Sequence, residues 1–159
     1  MRYVDGFVLP VPKKNLAVYR RMAQQADVLV ENFRPGTLDP AGFGPADVLS
    51  RHPRIVYCSI SGYGQTGPRR EEPGYDAVMQ AEGGLMSITG EADGKPLRLG
   101  VAITDIVSGL FAAQGVMAAP IAREKTGRGQ QVDIGMLDAT AALLTYQAGN
   151  YFATGQVPA

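Results

Sequence analysis

Val28-Leu29-Val30 and Ile55-Val56-Tyr57-Cys58-Ser59-Ile60 are two short, unbroken apolar runs, and Pro45 to Arg51 between them has the length and composition of a helix. Runs without alternation, rich in β-branched and aromatic residues, read as strands buried on both faces. Strand, helix and strand with short connections are most economically a parallel α/β unit. Glu31 to Gly36 is then the loop that leaves the first strand. Upstream, Tyr3 to Leu9 reads as a strand ended by Pro10 and Pro12. Asn15 caps a helix with Leu16, Tyr19, Met22 and Ala23 at three- and four-residue steps.

Beyond Ile60, the stretch from Ser61 to Gly74 holds four Gly and two Pro with Arg69, Arg70, Glu71 and Glu72, and reads as an exposed, mobile loop. Open parallel sheets bind ligands beyond the carboxyl ends of their strands, and this loop leaves such an end. Tyr75 to Glu82 and Gly84 to Thr89 are two helical pieces, followed by a turn over Gly90 to Pro96. Thr104 is placed to cap a long helix whose face of Ile106, Leu110, Ala113, Val116 and Met117 asks to be buried. Pro120 should kink or end it. Lys125 to Gly129 is a turn, Gln131 to Gly135 a short strand, and Leu137 to Phe152 one further apolar helix.

Composition narrows the function. In 159 residues, 45% hydrophobic and 19% charged, Lys plus Arg and Asp plus Glu stand at 15 each. That leaves no broad basic field to recruit nucleic acid or a membrane. Cys58 is alone, so no disulfide framework exists, and a reducing, cytoplasmic setting fits. Each long apolar run is interrupted by Arg, Asp, Lys, Gly or Pro, which argues against a membrane span. His52 is the only histidine, so a metal cluster or Ser-His-Asp triad lacks material. No phosphate-binding lysine loop occurs, and Gly62-Tyr63-Gly64 is too short for a dinucleotide fingerprint.

Three features carry possible chemistry. Asp105 sits at the centre of Gly100-Val-Ala-Ile-Thr-Asp-Ile-Val-Ser-Gly109, at the mouth of the long apolar helix. As a residue type it reads first as a structural acid in a first helical turn. A carboxylate there is also kept ionised by the helix N-terminus and can serve as a nucleophile. Tyr75-Asp76 is either a substrate-facing pair or simply a helix opening. Arg34 is an exposed cation that can hold a phosphate or do nothing specific.

Taken in order, Ala26-Asp-Val-Leu-Val-Glu-Asn-Phe-Arg-Pro-Gly36, Gly42-Phe-Gly44, Ile60-Ser-Gly-Tyr-Gly-Gln-Thr-Gly-Pro68, Pro73-Gly-Tyr-Asp76, Gly83-Gly-Leu-Met-Ser-Ile-Thr-Gly90, Gly100 to Gly109 and Lys125-Thr-Gly-Arg-Gly-Gln-Gln-Val-Asp133 resemble the class III coenzyme A transferases, over about residues 26–158. The resemblance implies part of a doubly wound, Rossmann-like parallel α/β domain with long C-terminal helices, and a homodimer of interlocked chains. It implies CoA transfer between an acyl-CoA and a small carboxylic acid through an aspartyl-CoA thioester on Asp105. Tyr75 and Asp76 would stand by the active site, and Asn32, Phe33 and Arg34 along the CoA tail, with no metal. Related racemases carry a His where Tyr75 stands, so transfer is favoured over proton exchange through Asp105 and Asp76. The family's chains are longer, which raises the alternative of an inactive fragment or assembly piece. Pro40 replaces an Arg that some relatives use for CoA. Residues 1–25 resemble instead a small ferredoxin-like α+β barrel family, so the domain reading is a foreign strand and helix over 1–25 joined to a partial transferase domain over 26–159.

Overall fold

A computed structural model describes residues 26–158. The strand at Tyr3–Leu9, the helix after Asn15 and the proposed join all lie outside the described residues. The chain divides into two compact units.

In its described part, the first unit comprises residues 26–60 and 112–133. Strands β1 (Val28–Glu31), β2 (Val56–Ser61) and β3 (Gln131–Gly135) form a sheet in the order β1-β2-β3. β1 and β2 run parallel in the register Val28↔Val56 to Glu31↔Ser59, as the two apolar runs foretell. β2 is the central strand and is buried along nearly its whole length. β1 differs from expectation. Among the described residues it pairs with β2 alone, Val30 is 47% exposed, and the residue it buries is Glu31. Alternate residues of β1 point to opposite faces of the sheet, and the face that carries Val30 is the less covered one, so this valine meets solvent.

Helix α1 (Pro45–Arg51) starts behind Gly44 with Pro45 in its first turn, where the missing N–H costs nothing. It buries Val48 against Ile55 and Tyr57, with Leu29, Phe43 and Leu49 around them. Fully burying each such side chain stabilises by about 1.5–3 kcal/mol. Tyr57 also donates its hydroxyl to the Phe43 carbonyl at 2.8 Å, so its polar end is satisfied.

Helix α3 (Ile103–Thr126) belongs to the first unit from Ala112 onward. Gly115 lets it approach β3 closely: a Cβ there would stand 2.5 Å from Val132 Cγ1. Arg123, almost fully buried, pairs with Asp27 at 3.1 Å and donates to the Arg54 carbonyl at 2.9 Å. Pro120 does not end the helix, which continues to Thr126. Nor do Gly109, Gly115 and Pro120 interrupt its apolar run. By length and composition alone α3 suffices to cross a membrane, which corrects the sequence reading. Its packing on Val132 and its Arg123 ties are those of an element in a folded α/β unit.

The second unit comprises residues 61–111 and 134–158 of the described chain. It holds α2 (Asp76–Glu82), a 3₁₀ turn over Leu85–Ile88, the start of α3, α4 (Met136–Leu143) and α5 (Thr145–Thr154). Met79, Gln80, Leu85, Met136, Ala139 and Thr140 are buried in it. α2 and α4 meet where Gly83 faces Thr140, at a separation that leaves no room for a side chain. The single helix expected from Leu137 to Phe152 is two, broken at Thr145, whose φ of 44° is a strained value for a β-branched residue.

The apolar face predicted to be buried on α3 is largely exposed. Ile106, Leu110, Met117 and Ile121 face outward, and what is buried is Thr104, Ser108, Ala112, Ala119 and Arg123. Small and polar residues line the inward stripe because the helix lies close to its neighbours there.

Candidate active site

The loop from Ser61 to Gly74 shapes the entry to α2. Its ends touch: a Cβ on Gly74 would lie 2.3 Å from the Gly62 Cα, so only glycine at both positions permits the contact. Gly64 and Gly67 take positive φ within it. The Gly62 carbonyl accepts the Leu137 N–H at 3.0 Å. Arg69 lies over the Tyr63 ring, 4.1 Å from its centre, and pairs with Glu72 and with Glu82 of α2, each at 2.7 Å. The loop expected to be exposed and mobile is thus tied at its neck and along its length. The hydrogen bonds to Glu72 and Glu82 raise the Arg69 pKa and hold both carboxyls below their usual range.

At the end of this loop Tyr75 precedes α2 and is 67% exposed. Asp76, the first residue of α2, turns toward the start of α3. Its Oδ1 accepts the Thr104 hydroxyl at 2.7 Å and the Thr104 N–H at 2.9 Å. Its Oδ2 accepts the Gln80 side-chain amide at 2.7 Å. Asp76 therefore caps a helix that is not its own. Thr104, expected to be that helix's N-cap, lies inside the first turn and spends its hydroxyl on Asp76. Burial pulls the Asp76 carboxyl upward, but the hydrogen bonds from Thr104 and Gln80, with the Asp105 amide, outweigh it and leave its pKa lowered.

Asp105 follows in the same first turn of α3 and is exposed. Among the described residues no side chain or backbone N–H donates to its carboxylate. Partial desolvation, then the nearby Asp76 charge, raise its pKa. Two carboxylates that look alike in the sequence are thereby separated: Asp76 is held ionised and fully engaged, while Asp105 is left available and more basic. Environments that push two titratable groups apart are a frequent mark of assigned chemical roles.

Asn32, Phe33 and Arg34 belong to the first unit. The carboxylate of Glu31 accepts the Phe33 N–H at 2.8 Å, and the Arg34 carbonyl accepts the Thr37 N–H at 3.1 Å, which folds the loop after β1 into a turn. Asn32 and Arg34 are exposed. Burial pushes the Glu31 carboxyl up and the Cys58 thiol up to about 11, so Cys58 is an inert core thiol.

Of the residues singled out by sequence, Tyr75, Asp76 and Asp105 stand in one unit, with Asp76 bonded to the turn that carries Asp105. Gln80 escaped notice, although its position four residues after Asp76 on one helix face is the spacing at which such pairs meet.

The chain belongs to CoA-transferase family III, whose pattern it matches over residues 11–159. It is 43% identical over 144 residues to the acetyl-CoA:oxalate CoA-transferase of Acetobacter aceti, covering 90% of this chain and 37% of that one. It is 46% identical over 138 residues to the human (Homo sapiens) succinyl-CoA:glutarate CoA-transferase, covering 87% of this chain and 32% of that one. Among solved structures it is similar to a CAIB/BAIF family protein from Brucella suis, with a TM-score of 0.88 and 40% identity over 92% of this chain and 39% of that one. The chain spans less than two fifths of the length of each of these relatives.

Proposed function

We propose that the chain carries the nucleophile-bearing part of a CoA-transferase, moving coenzyme A from an acyl-CoA donor to a small carboxylic acid. The observation that carries this reading is the division of labour between Asp76 and Asp105. A carboxylate with a raised pKa and no hydrogen bonds from the protein to give up is a better nucleophile than one engaged as a cap. In the proposed sequence an Asp105 oxygen attacks the thioester carbonyl and the CoA thiolate leaves, giving a mixed anhydride. The thiolate attacks the Asp105 carbonyl, releasing the donor acid and leaving an aspartyl-CoA thioester. The acceptor carboxylate attacks that carbonyl, expels the thiolate and forms a second anhydride. The thiolate then attacks the acceptor's acyl carbon, and the Asp105 carboxylate is restored.

Relatives named for oxalate, glutarate, D-citramalate and mesaconate support a small dicarboxylic acid as acceptor and succinyl-CoA or acetyl-CoA as donor. In this reading Asn32, Phe33 and the exposed Arg34 line the CoA tail, Tyr75 borders the acid, and a second chain completes the assembly as a homodimer. Proton exchange through Asp76 is disfavoured, because both its oxygens already accept hydrogen bonds.

The test is intact mass of the chain after incubation with succinyl-CoA, with and without oxalate, glutarate or mesaconate. A CoA adduct should form, be discharged by the right acid, and vanish in Asp105→Ala. An adduct that survives that substitution rules out the nucleophile, and no adduct in the parent chain favours the inactive-fragment alternative.

A further inference from the structure

Gln80 has no role in the chemistry just described, yet it is a fully buried polar side chain in this unit. Its amide nitrogen donates to Asp76 Oδ2 at 2.7 Å and to the Val101 carbonyl at 3.3 Å, and its oxygen accepts the Leu99 N–H at 2.8 Å. One side chain thus joins α2 to the segment that leads into α3. With its Oδ2 held by Gln80, Asp76 can point only Oδ1 at Thr104. Thr104 is the residue before Asp105. The chain is therefore gripped at two points on its way into α3: before the turn by Gln80 at Leu99 and Val101, and within it by Asp76 at Thr104.

We propose that Gln80 is a positioning residue for the Asp105 carboxylate, acting through Asp76 and the Leu99–Val101 segment to fix the first turn of α3. This rests on the reading of Asp105 as the nucleophile. Buried amides cost free energy unless every polar atom is bonded, and this one has its donors and acceptor used by groups in the approach to one carboxylate. A packing role alone would be met by an apolar residue of the same size. The carboxylates facing the network are Asp76 on the same helix and Asp105 on α3.

Two substitutions separate these roles. Gln80→Met keeps volume and removes all three hydrogen bonds. The adduct rate with succinyl-CoA should fall on the order of ten- to a hundredfold, with faster hydrogen exchange at the Thr104 and Asp105 amides. Gln80→Glu keeps the acceptor for Leu99 but turns an oxygen toward Asp76. When protonated, the introduced carboxyl can donate to Asp76; when ionised, it repels it. Its adduct rate relative to the parent should therefore recover as pH is lowered and fail as pH rises, while Gln80→Met stays low at every pH. A space-filling role predicts no such pH-dependent rescue. Adduct formation at the parent rate in Gln80→Met, in a chain that melts cooperatively, would overturn the positioning role and leave the nucleophile standing. Absence of an adduct in the parent would favour the inactive fragment and remove this role with the proposed function. Loss of cooperative melting in Gln80→Met shifts the decision to Gln80→Glu, where a rate ratio flat with pH counts against the proposal.

Discussion

At the residue scale, the site is governed by which carboxylate receives the hydrogen bonds. Asp76 accepts them, so Asp76→Asn should destabilise the chain by about 1–2 kcal/mol at neutral pH, read by denaturant melts. The sign with pH follows from its lowered folded pKa. Its stabilisation is present above the unfolded value, near 3.8, and is lost as pH falls through the folded value. The gap between parent and Asp76→Asn should therefore close in acid. Asp105 behaves oppositely. Its raised pKa puts the acid limb of adduct formation above the range of an ordinary aspartate, and a limb at or below 3.8 would contradict that. Glu31 is raised as well, so the folded state favours its protonated form. Stability should decline as pH rises from its unfolded toward its folded pKa, and Glu31→Gln should flatten that decline.

At the element scale, α3 runs through Pro120, although a proline in a helix interior forfeits a hydrogen bond and crowds the preceding turn. Pro120→Ala should raise stability by about 1–3 kcal/mol in thermal or denaturant unfolding. Gly115 gives the reverse case. Alanine is the better helix former by about 1 kcal/mol, yet its methyl would collide with Val132, so Gly115→Ala should destabilise. In a Val132→Ala background the same change should stabilise, and a double-mutant cycle reads the difference. The strands and α1 were legible because uninterrupted runs such as Ile55 to Ile60 admit few alternatives. The break at Thr145 was not, since nothing local in Leu144-Thr145-Tyr146 announces a positive φ. The capping of α3 was missed for a different reason: the carboxylate that does it stands on another helix, and helix-cap rules look only a few residues along the chain.

At the scale of the whole molecule, the sequence patterns named the family but misjudged where the apolar surface goes. Ile106, Leu110 and Met117, which read as core together with Ala113 and Val116, are exposed on α3, as is Ile121, and the helix buries small and polar residues instead. Tyr146 and Phe152 of α5, the latter 82% exposed, add to the same account. Exposed apolar surface of this kind favours self-association. Light scattering should find oligomers of the 159-residue chain, with dye binding typical of exposed apolar surface, and Ile121→Lys should shift it toward monomer with a stability change within about 0.5 kcal/mol. A monomer that binds no dye would contradict this. The contact between Gly62 and Gly74 has a practical consequence for anyone rebuilding this chain. Because two backbones meet there, residues 63–73 form a cassette with fixed attachment points. Lengthening such a loop costs little, about 0.6 kcal/mol for each doubling. Segments of other lengths can therefore be grafted between these two glycines, provided both are kept.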